Sequence, residues 1–592
     1  MLNRKDVPEN LKWRTEDMFK SIADWNALYE KTEKRIDFSV YEGKLDNAAT
    51  VKKCFDELYS VMGDLELLSV YAFMKHDEDS RDSESSALLA RVDDLEVRFS
   101  SAVAFITPEL TALDKELLES FVLNPDLKDY DYEIRGIIKD KAHVLGKEAE
   151  GVLAMGGQVF SSFRNIFGMI NNADLPFPEI TVRGKKVKVS HGTYGVLMQD
   201  PDRNVRRRTF KAFYGAFIGL INTISATYIA NVNKNVFLSR VRKYDSCLDR
   251  ALSGEDVYPE VYENLIERVN KGMKTMHEYV AVRKKELGYS ELHMYDVYTP
   301  LVEGADLGLD YEDAFKLVKE GLKPLGEKYG ELLQRAHDER WIDVEETEGK
   351  RSGAYSICVY KCPHPNVLLN YQKTTTEVFT IAHELGHAMH SFHSNAAQPK
   401  PKASYRIFVA EVASTVNEVL WLKYLLKKTD DKKLKRYLLN YYMDMIKGTL
   451  FRQTMFAEFE AFAHGQVEKG VPITKDSLCD AYLELNKKYF GDSMVSDKEI
   501  SYEWARIPHV YNAFYVYKYA TGITSAITIA ERIYNEGEPA VKDYFRFLSS
   551  GGSDCPVELL KLAGVDLTSR KPFEAAMSSF ADALEQFKAL AD

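Results

Sequence analysis

The sequence predicts a mainly α-helical fold, and the spacing of its apolar residues is the main reason. Apolar side chains recur at three- and four-residue intervals over long stretches, which places them on one face of an α-helix. Helices are predicted on this basis at residues 46–74, 80–104, 114–123, 147–167, 203–242, 259–287 and 311–341. We therefore expect a multi-helix protein in which β-structure is a minor element.

Two short stretches have the pattern of β-strands. Residues 180–182 and 187–189 flank an Arg-Gly pair and alternate in period two, which predicts a β-hairpin near residues 180–189. Residues 354–360 are rich in β-branched and aromatic side chains, which favour a strand. This second strand lies directly upstream of the helix that carries the clearest functional motif.

The chain is predicted to form two domains that divide near Pro201. The tripeptide Asp200-Pro201-Asp202 is a turn signal between the hairpin and a long helical stretch. Residues 1–200 are then a helical N-terminal region that contains the hairpin. Residues 201–592 are a second domain that contains the motifs described below.

The composition is that of an ordinary globular protein, and it argues against two kinds of partner. Of the 592 residues, 45% are hydrophobic and 28% are charged, and the formal net charge is −12. Nucleic acids and anionic membranes bind clustered Lys and Arg, so we expect neither as a partner. Polar residues interrupt the most apolar stretch, residues 212–232, which predicts a buried helix and not a membrane span.

Two features predict a cytoplasmic protein. Residues 1–10 are polar and charged where a secretory signal would have its apolar run, so we expect no export by that route. The six cysteines are few and scattered for a chain of 592 residues. Such usage is typical of proteins in a reducing compartment and not of disulfide frameworks.

The most informative stretch is residues 374–390, which contains the pattern His-Glu-x-x-His. On a helix, His383 and His387 lie one turn apart on the same face, where two imidazoles can bind one zinc ion, and His390 falls on the same stripe. Glu384 is then placed beside the metal without binding it, which is the position of a general base. So short a pattern also arises by chance, so by itself it is only suggestive.

The next predicted helix, residues 408–420, supplies a third metal ligand. A catalytic zinc ion needs three protein ligands and one open position, and two histidines with one glutamate are a known set. Glu411 lies on the polar face of this helix together with Glu418, beside an apolar stripe. Glu411 is therefore predicted to complete the site. The alternative is that both glutamates are ordinary solvated carboxylates.

These two segments resemble those of one enzyme family. His-Glu-Leu-Gly-His-Ala-Met-His at 383–390 and Phe-Val-Ala-Glu-Val-Ala-Ser-Thr-Val-Asn-Glu at 408–418 are similar to the oligopeptidase F branch of the thimet oligopeptidase family of zinc metallopeptidases. Further similar stretches lie at residues 7–8, 12–13, 241–246, 349–355 and 509–522. The resemblance implies that residues 201–592 form the catalytic domain. It also implies that helical domains enclose the zinc in a deep channel, which admits short peptides and excludes folded proteins.

The resemblance further implies that Gly353, Ala354 and Tyr355 bind the substrate. An extended peptide can add to the edge of a sheet through main-chain hydrogen bonds, which give affinity without side-chain specificity. The alternative is that this segment is a core strand without a role in binding.

A second contribution to catalysis is implied for residues 508–522, which are rich in tyrosine. Peptide hydrolysis develops negative charge on the scissile carbonyl oxygen, and neutral donors such as a Tyr hydroxyl or a His N–H stabilise that charge. The resemblance assigns this role to His509 and to one tyrosine, for which Tyr517 is the first candidate and Tyr515 the second. The other tyrosines of the segment, or an aromatic core helix without a catalytic role, are the alternatives.

Two further carboxylates are candidates for orienting the metal ligands. A ligating histidine usually donates its second ring N–H to a carboxylate or carbonyl, which fixes the tautomer. Glu418 and Glu377 are the candidates for this partner. Glu377 has an alternative role, because it forms with Thr374 the capping-box pattern that begins a helix.

The sequence as a whole predicts a zinc-dependent endopeptidase with one zinc ion per chain, short peptides as substrates, and Glu384 as the general base and acid. One alternative is an exopeptidase with the same chemistry, which needs a positive group to hold a substrate terminus. Another is a zinc- or peptide-binding protein without activity, which would have no use for Glu384. The sequence does not indicate the cleavage preference, the physiological peptides, the oligomeric state or the metal used in the cell.

Overall fold

The computed structural model describes residues 2–302, 304–305 and 307–590, and it confirms a mainly α-helical fold. In chain order the α-helices are α1 (Ile22–Glu33), α2 (Ala48–Glu78), α3 (Ser83–Val103), α4 (Ile106–Ala112), α5 (Lys115–Val122), α6 (Asp131–Asp140), α7 (Lys147–Met155), α8 (Gly157–Met169), α9 (His191–Leu197), α10 (Arg203–Gly219), α11 (Ile221–Val241), α12 (Cys247–Glu255), α13 (Pro259–Lys271), α14 (Met273–Glu286), α15 (Tyr311–Gly321), α16 (Glu327–Asp338), α17 (Thr375–Ala397), α18 (Lys400–Ala403), α19 (Ile407–Lys428), α20 (Lys432–Ile446), α21 (Arg452–Glu468), α22 (Lys475–Phe490), α23 (Tyr517–Glu536), α24 (Glu538–Leu548), α25 (Pro556–Leu562) and α26 (Lys571–Ala589).

The remaining regular elements are short. The strands are β1 (Glu179–Val182), β2 (Lys185–Lys188), β3 (Leu292–His293), β4 (Ile342–Asp343), β5 (Tyr355–Ile357), β6 (Asn366–Leu368) and β7 (Met494–Val495). The 3-10 helices are Arg4–Asp6, Glu9–Leu11, Thr15–Asp17, Ser39–Tyr41, Pro125–Tyr130, Lys141–His143, Met294–Asp296, Lys323–Leu325, Lys498–Arg506 and Pro508–Tyr511. The π-helical turns are Ile170–Asp174 and Lys447–Phe451.

The predicted hairpin is present. Strands β1 and β2 pair in antiparallel register, with Ile180 opposite Val187. Arg183 and Gly184 both have positive φ, at 48° and 80°, as a two-residue hairpin turn requires. The predicted strand at 354–360 is shorter than expected, because only Tyr355–Ile357 (β5) pairs with a neighbour.

Four of the predicted helices are each divided into two in the structure. The breaks lie at or next to a glycine in each case, namely Gly156, Gly219, Gly272 and Gly326. A glycine inside a helix costs about 1 kcal/mol relative to alanine, so a helix ends more readily there than at neighbouring residues. The apolar periodicity continues across the breaks, which is why it predicted single helices.

The predicted helix at 203–242 is bent by 65° where α10 ends and α11 begins. Residues Ile224, Tyr228 and Val232 of α11 are buried, as expected for a core helix. Within the described part of the chain, no single helix is long and apolar enough to span a membrane. Only the bent pair α10 and α11, taken together, has the length and apolar composition of a span.

The packing of the chain defines two compact units, each built from separate segments. The first unit contains Met1–Val144, Asp306–Lys427 and Ala526–Val565. The second unit contains Leu145–Ala305, Lys428–Ser525 and Asp566–Asp592, so the division falls inside α23. Neither unit follows the division near Pro201 that the turn signal suggested. The separate roles of residues 1–200 and 201–592 stay a prediction.

The first unit contains the sheet that was expected beside the His-Glu-x-x-His helix. Strand β6 lies in the centre, parallel to β4 and antiparallel to β5, so β5 is an edge strand. Helix α17 packs against β5 and β6. Leu368 of β6 is buried together with Trp13 and with Val70 and Met74 of α2. The sheet therefore connects the N-terminal helices of this unit to α17.

Candidate metal centre and catalytic residues

Helix α17 begins where the sequence predicted, at a threonine cap. The Thr374 hydroxyl accepts a hydrogen bond from the Glu377 backbone N–H at 3.2 Å, which satisfies one of the free amides of the first turn. The apolar side of the helix, including Ile381 and Leu385, is buried in the first unit. The opposite side carries the two histidines of the motif.

Three side chains bring their donor atoms together on this side. The Nε2 atoms of His383 and His387 are 3.2 Å apart. Glu411 Oε2 lies 3.4 Å from His383 Nε2 and 3.5 Å from His387 Nε2. Among the described residues, these three form the group of His, Cys, Asp or Glu side chains that is arranged to hold a metal ion.

The spacing of these donors fits zinc. A tetrahedral zinc ion with ligand distances of about 2.0–2.1 Å separates its ligand atoms by about 3.3 Å. The three observed separations, from 3.2 to 3.5 Å, match this value within a few tenths of an ångström. Two imidazoles and one carboxylate are also a donor set that catalytic zinc sites use, and they leave one position for water or substrate.

Gly386 determines how closely the two helices that carry the donors approach each other. A Cβ atom at this position would lie 2.5 Å from the Cα of Ser414 and 2.6 Å from the carbonyl oxygen of Ala413, both on α19. Only a residue without a side chain permits this backbone contact. The contact places Glu411, one turn before Ser414, opposite the histidines of α17.

Asn417 connects the same two helices by a hydrogen bond. Its side-chain amide is fully buried and donates to the carbonyl oxygen of Ala382 on α17 at 3.0 Å. Its own carbonyl accepts from the Tyr329 hydroxyl of α16 at 3.0 Å. Because both polar ends of the amide are satisfied inside the core, the bond fixes the relative position of α17 and α19 without an unpaired group.

Glu418 contacts His383 at Nδ1, the ring nitrogen that does not face the other donors. Its Oε1 atom lies within hydrogen-bonding distance of His383 Nδ1, which holds a ring proton there. Nε2 faces the other donors, and loss of its proton leaves the lone pair that a metal would bind. The Ser414 hydroxyl lies 3.0 Å from the backbone carbonyl of Glu411 and 3.3 Å from its Oε2 atom, so it can donate to either oxygen. Glu418 and Ser414 thus each contact one of the donor residues.

The electrostatics of the group favour a positive charge at its centre. Burial alone would lower the pKa of His383, but hydrogen bonds to Glu411 and Glu418 outweigh it and raise the pKa to about 10. Hydrogen bonds from His383 and His387 hold the pKa of Glu411 well below its usual value. The same carboxylates would stabilise a bound cation, because the cation would replace the proton between the imidazoles and the carboxylate.

The Glu384 carboxyl lies close enough to His383 and His387 to interact with their charges, but it is not one of the three donor groups. The residue is 6% exposed, and its Oε2 atom is buried without a hydrogen-bond partner among the described residues. Burial raises the pKa of its carboxyl above the ordinary value for glutamate, an effect that His383 and His387 oppose. A buried carboxylate oxygen without a partner is available to a proton that arrives with substrate or water.

Two residues predicted near the site have other surroundings. His390 lies on the stripe of the two ligand histidines, but its ring is stacked on Tyr405 at 3.8 Å and burial lowers its pKa to about 3. It therefore forms part of the neutral core. For Glu377, the structure gives the cap contact of its backbone N–H with Thr374 and a pKa raised by burial.

The segment Gly353, Ala354 and Tyr355 leads into the edge strand β5. Gly353 has a φ of 89°, which favours glycine, and its carbonyl oxygen accepts a hydrogen bond of 2.7 Å from the Asn370 side chain. The Tyr355 hydroxyl donates to buried Asp77 at 2.9 Å, so this side chain anchors the strand to α2. In the described sheet β5 pairs on one side only, with β6. A role of this edge in substrate binding stays a prediction.

His509, Tyr515 and Tyr517 belong to the second unit. The His509 ring is exposed and lies 5.8 Å from the Tyr515 ring, and its Nε2 is 3.4 Å from the hydroxyl of Tyr519. Burial and the positive charges of Arg452 and Arg164 lower the pKa of His509, so its ring is neutral at pH 7. A neutral imidazole with two neighbouring tyrosines is suited to donate hydrogen bonds to a developing oxyanion.

Tyr517, the first tyrosine candidate, is placed differently. Its side chain is fully buried, and its ring packs against that of Tyr262 at 5.2 Å. These surroundings agree with the aromatic-core alternative. Tyr515, the second candidate, and Tyr519 are the tyrosines beside His509.

Comparison with known proteins identifies the family. The model of peptidase family M3 matches residues 196–579, and the model of oligopeptidase F matches residues 109–177. The chain belongs to peptidase family M3. This finding confirms the resemblance described above and the predicted enzyme class, a metalloendopeptidase.

Relatives of this M3 peptidase cover it almost completely. It is 41% identical to oligopeptidase PepF of Bacillus subtilis over 99% of this chain and 88% of the relative, and 38% identical to group B oligopeptidase PepB of Streptococcus agalactiae over 99% and 98%. Among solved structures it is similar to oligoendopeptidase-F from Enterococcus faecium, with 34% identity and a TM-score of 0.72 over 97% of this chain and 100% of that one. A peptidase structure from Chlamydophila abortus has 32% identity and a TM-score of 0.95 over 100% of both chains.

Sequence reasoning missed residues that position the donors of this M3 peptidase. A glycine inside a helical motif signals a close packing contact, and Gly386 had this signal. Asn417 is a polar residue between Val416 and Glu418 on a largely buried helix, which indicates a buried hydrogen bond.

A third missed residue, Glu460, supports the segment that carries His509. Glu460 on α21 is fully buried, and its Oε1 atom accepts the backbone N–H of Phe514 at 3.0 Å. Phe514 has a φ of 55°, a left-handed conformation that is uncommon for an aromatic residue. The bond to Glu460 offsets part of the cost of this conformation. No sequence pattern marked Glu460.

Replacing Gly386 with alanine tests the helix contact. The added methyl group meets the rigid backbone of α19, so we expect Gly386→Ala to lower the free energy of unfolding by about 1–3 kcal/mol and to weaken zinc binding at least about tenfold. Gly136→Ala, in the exposed middle of α6 with no atom within 4 Å, is the matched control and should stabilise the protein slightly. Denaturant unfolding and zinc competition with a chromophoric chelator measure both effects. Unchanged zinc affinity in Gly386→Ala would contradict the role of the contact.

Replacing Glu418 and Glu377 separately distinguishes the two carboxylate candidates. Glu418→Gln keeps the shape of the side chain but removes the charge that holds the Nδ1 proton of His383, so we expect zinc affinity to fall by about 10–100-fold. Glu377→Gln should leave zinc affinity unchanged, because its structural contact is made by the backbone. The same chelator competition measures both variants, and equal effects of the two substitutions would count against the orienting role of Glu418.

Glu460 predicts a pH-dependent contribution to stability. Burial raises its pKa to about 8 in the folded protein, so the folded chain keeps a proton that the unfolded chain releases near its ordinary pKa. The free energy of unfolding therefore falls as pH rises from 5 to 8, by about 1.4 kcal/mol per unit at most. Glu460→Gln removes this dependence, and we expect its stability relative to wild type to rise by about 3 kcal/mol between pH 5 and pH 8.

Denaturant unfolding at the two pH values measures this difference. Glu484→Gln, which removes an exposed carboxylate of α22, is the control and should show no such gain. A stability difference between Glu460→Gln and wild type that is the same at both pH values would show that Glu460 does not carry the proton.

Proposed function

We propose that this protein is a zinc-dependent oligoendopeptidase that cleaves short, unstructured peptides, with one zinc ion per chain held by His383, His387 and Glu411. The observation that carries the proposal is the spacing of the three donor atoms, 3.2–3.5 Å, with the buried Glu384 carboxyl next to them in the chain. The oligopeptidase names of the relatives support the choice of substrate.

Glu384 moves the proton in the proposed reaction. When bound, zinc supplies Lewis-acid chemistry, since it brings the pKa of water towards neutrality and polarises a carbonyl group. Glu384 accepts the proton of the attacking water at Oε2, the oxygen that has no other partner among the described residues. It then delivers this proton to the nitrogen of the leaving amine, so no covalent intermediate is needed.

The residues around Glu384 hold the ligands in the state that the reaction needs. Glu418 keeps the ring proton of His383 at Nδ1, which leaves Nε2 free to bind metal. Ser414 orients the Glu411 carboxylate, and the Gly386 contact keeps α19 close to α17. These contacts fix the donors before substrate arrives, which lowers the reorganisation required during the reaction.

The proposed mode of substrate binding uses the free edge of β5. An extended peptide would pair with the backbone of Gly353, Ala354 and Tyr355, and such pairing would not depend on the sequence of the peptide. The carbonyl of Gly353 is fixed by Asn370, and the Tyr355 side chain is fixed by Asp77. Both contacts hold the residues at the start of the edge strand in position.

His509 and a neighbouring tyrosine are proposed to stabilise the oxyanion. The lowered pKa of His509 keeps its ring neutral, and the positions of Tyr515 and Tyr519 beside it favour them over the buried Tyr517. A cytoplasmic location is part of the proposal and is supported by the six cysteines, which form no disulfide in the described part of the chain.

The central test is Glu384→Gln assayed with a quenched nonapeptide that is blocked at both termini. We expect the variant to bind one zinc per chain and to lose activity by about two to four orders of magnitude, because only proton transfer is removed. Removal of zinc from the wild type with a chelator should abolish cleavage, and zinc should restore it. Zinc content is measured in the same samples.

The blocked termini separate the proposal from the exopeptidase alternative. An exopeptidase needs a free terminus, whereas an endopeptidase cleaves the blocked peptide at an internal bond that mass spectrometry identifies. If wild type and Glu384→Gln both hold zinc and neither cleaves the peptide, the endopeptidase proposal is wrong. Glu484→Gln, which removes the charge of an exposed carboxylate of α22, is the control outside the donor group.

The oxyanion residues are tested by comparing His509→Ala, Tyr519→Phe, Tyr515→Phe and Tyr517→Phe. We expect the first to lower kcat by about 10²–10³-fold with zinc content unchanged, because one donor to the oxyanion is lost. One of Tyr519→Phe and Tyr515→Phe should also lower kcat, whereas Tyr517→Phe should affect stability more than kcat. A full loss of kcat in Tyr517→Phe with wild-type stability would restore Tyr517 as the donor.

A further inference from the structure

A cavity of about 530 Å³ lies wholly within the second unit, on the side of His509 and Tyr519. Its wall includes Tyr298, Thr449, Arg452 and Arg506. Of the described residues that line it, none is acidic, so its charge is set by the two arginines. In the proposed mechanism neither arginine contacts the substrate, and Arg452 acts only through its charge, which helps to keep His509 neutral.

The two arginines leave one net positive charge in the cavity wall. Arg506 Nη2 lies 2.9 Å from Glu503 Oε1, and Arg452 Nη2 contacts the same oxygen at 2.5 Å. The other oxygen of this buried carboxylate accepts a hydrogen bond from the Tyr482 hydroxyl at 2.6 Å. Both carboxylate oxygens of Glu503 thus already have hydrogen-bond partners. Two guanidinium groups share one carboxylate, and one positive charge is not neutralised.

Both guanidinium groups are held in place by their surroundings. Arg506 lies over the rings of Tyr194 and Tyr214 at 5.7 and 5.9 Å, and Arg452 lies over the ring of Phe456 at 4.6 Å. Their side chains are still 17% and 21% exposed, and both line the cavity. Arg452 also follows directly after the π-helical turn Lys447–Phe451, a rare element that is frequent at functional sites.

The chemistry of this wall selects a carboxylate as its ligand. A guanidinium group can donate two parallel hydrogen bonds to the two oxygens of a carboxylate. Because the guanidinium groups here are already held in place, binding a carboxylate costs little conformational entropy. The neutral donors Tyr298 and Thr449 on the same wall suit the amide groups that adjoin a peptide terminus. Every linear peptide with a free C-terminus carries such a carboxylate.

We propose that this cavity binds the C-terminal carboxylate of a peptide through Arg452 and Arg506. The proposal rests on the proposed peptidase function for the identity of the ligand, but the site itself is defined by residues of the second unit. The enzyme would then be an endopeptidase that distinguishes free from blocked C-termini, without requiring a free one.

The experiment measures binding without cleavage. The Glu384→Gln protein with zinc bound is titrated calorimetrically with two pentapeptides of the same sequence, one with a C-terminal carboxylate and one with a C-terminal amide. We expect the carboxylate form to bind about tenfold more tightly, because a charge-assisted pair with arginine is lost in the amide. Adding Arg452→Gln or Arg506→Gln should reduce this preference to less than about threefold.

Two further variants separate lost recognition from damaged folding. Arg203→Gln removes another arginine of the second unit that pairs with a buried carboxylate, Asp296, and should keep the full preference. Glu503→Gln removes the negative charge and leaves both arginines, so it should increase the preference for the carboxylate peptide. General destabilisation cannot produce such an increase.

Equal affinity for the two peptides in the Glu384→Gln protein, or an unchanged preference in both arginine variants, would overturn the proposal. A third peptide, amidated at its C-terminus but with an internal glutamate, tests whether a side-chain carboxylate binds instead. If it binds as tightly as the free C-terminus, the assignment to the terminus is wrong. A preference that depends on Arg452 in a protein whose wild type cleaves nothing would support the cavity and refute only the peptidase proposal.

Discussion

The backbone contact between α17 and α19 is the constraint on which the candidate site depends. At Gly386 the two helices approach so closely that a single methyl group would lie 2.5 Å from the Cα of Ser414. This distance is what allows a short glutamate side chain on α19 to reach two histidines on α17. A wider separation would leave Glu411 beyond the 3.4–3.5 Å at which its oxygen now meets both imidazoles. The fully buried Asn417 amide keeps the helices in this register.

Four residues within about two turns of α19 therefore contribute to the proposed site. Glu411 brings a donor atom to the two histidines, Ser414 contacts Glu411, Asn417 bonds to α17, and Glu418 contacts Nδ1 of His383. Such a concentration of carboxylates would be unfavourable without a positive partner, and the raised pKa of His383 shows how strongly the group attracts one. Affinity for a metal ion and dependence on pH have the same origin, because metal and proton compete for the same centre.

Buried carboxylates of the second unit show how the surroundings decide the state of a glutamate. Glu503 is enclosed by two guanidinium groups and a tyrosine hydroxyl, so its pKa is lowered to about 2 and it stays ionised. Glu460 is equally buried, but its described contact is one backbone N–H, so its pKa is raised to about 8. The first arrangement leaves a positive charge for a ligand. The second supports the left-handed Phe514 between His509 and α23.

The sequence by itself determined the helical character of the chain, the hairpin at 180–189, the family and the donors His383, His387 and Glu411. These features depend on spacing within one element, and the helical period places residues four apart on one face whatever surrounds them. The tertiary structure decided the breaks at glycines, the burial of Tyr517 and His390, and the choice of Glu418 beside His383. It also decided the cavity wall that joins Tyr298, Arg452 and Arg506. Those outcomes depend on which residues distant in sequence pack together, and a local pattern carries no information about such contacts.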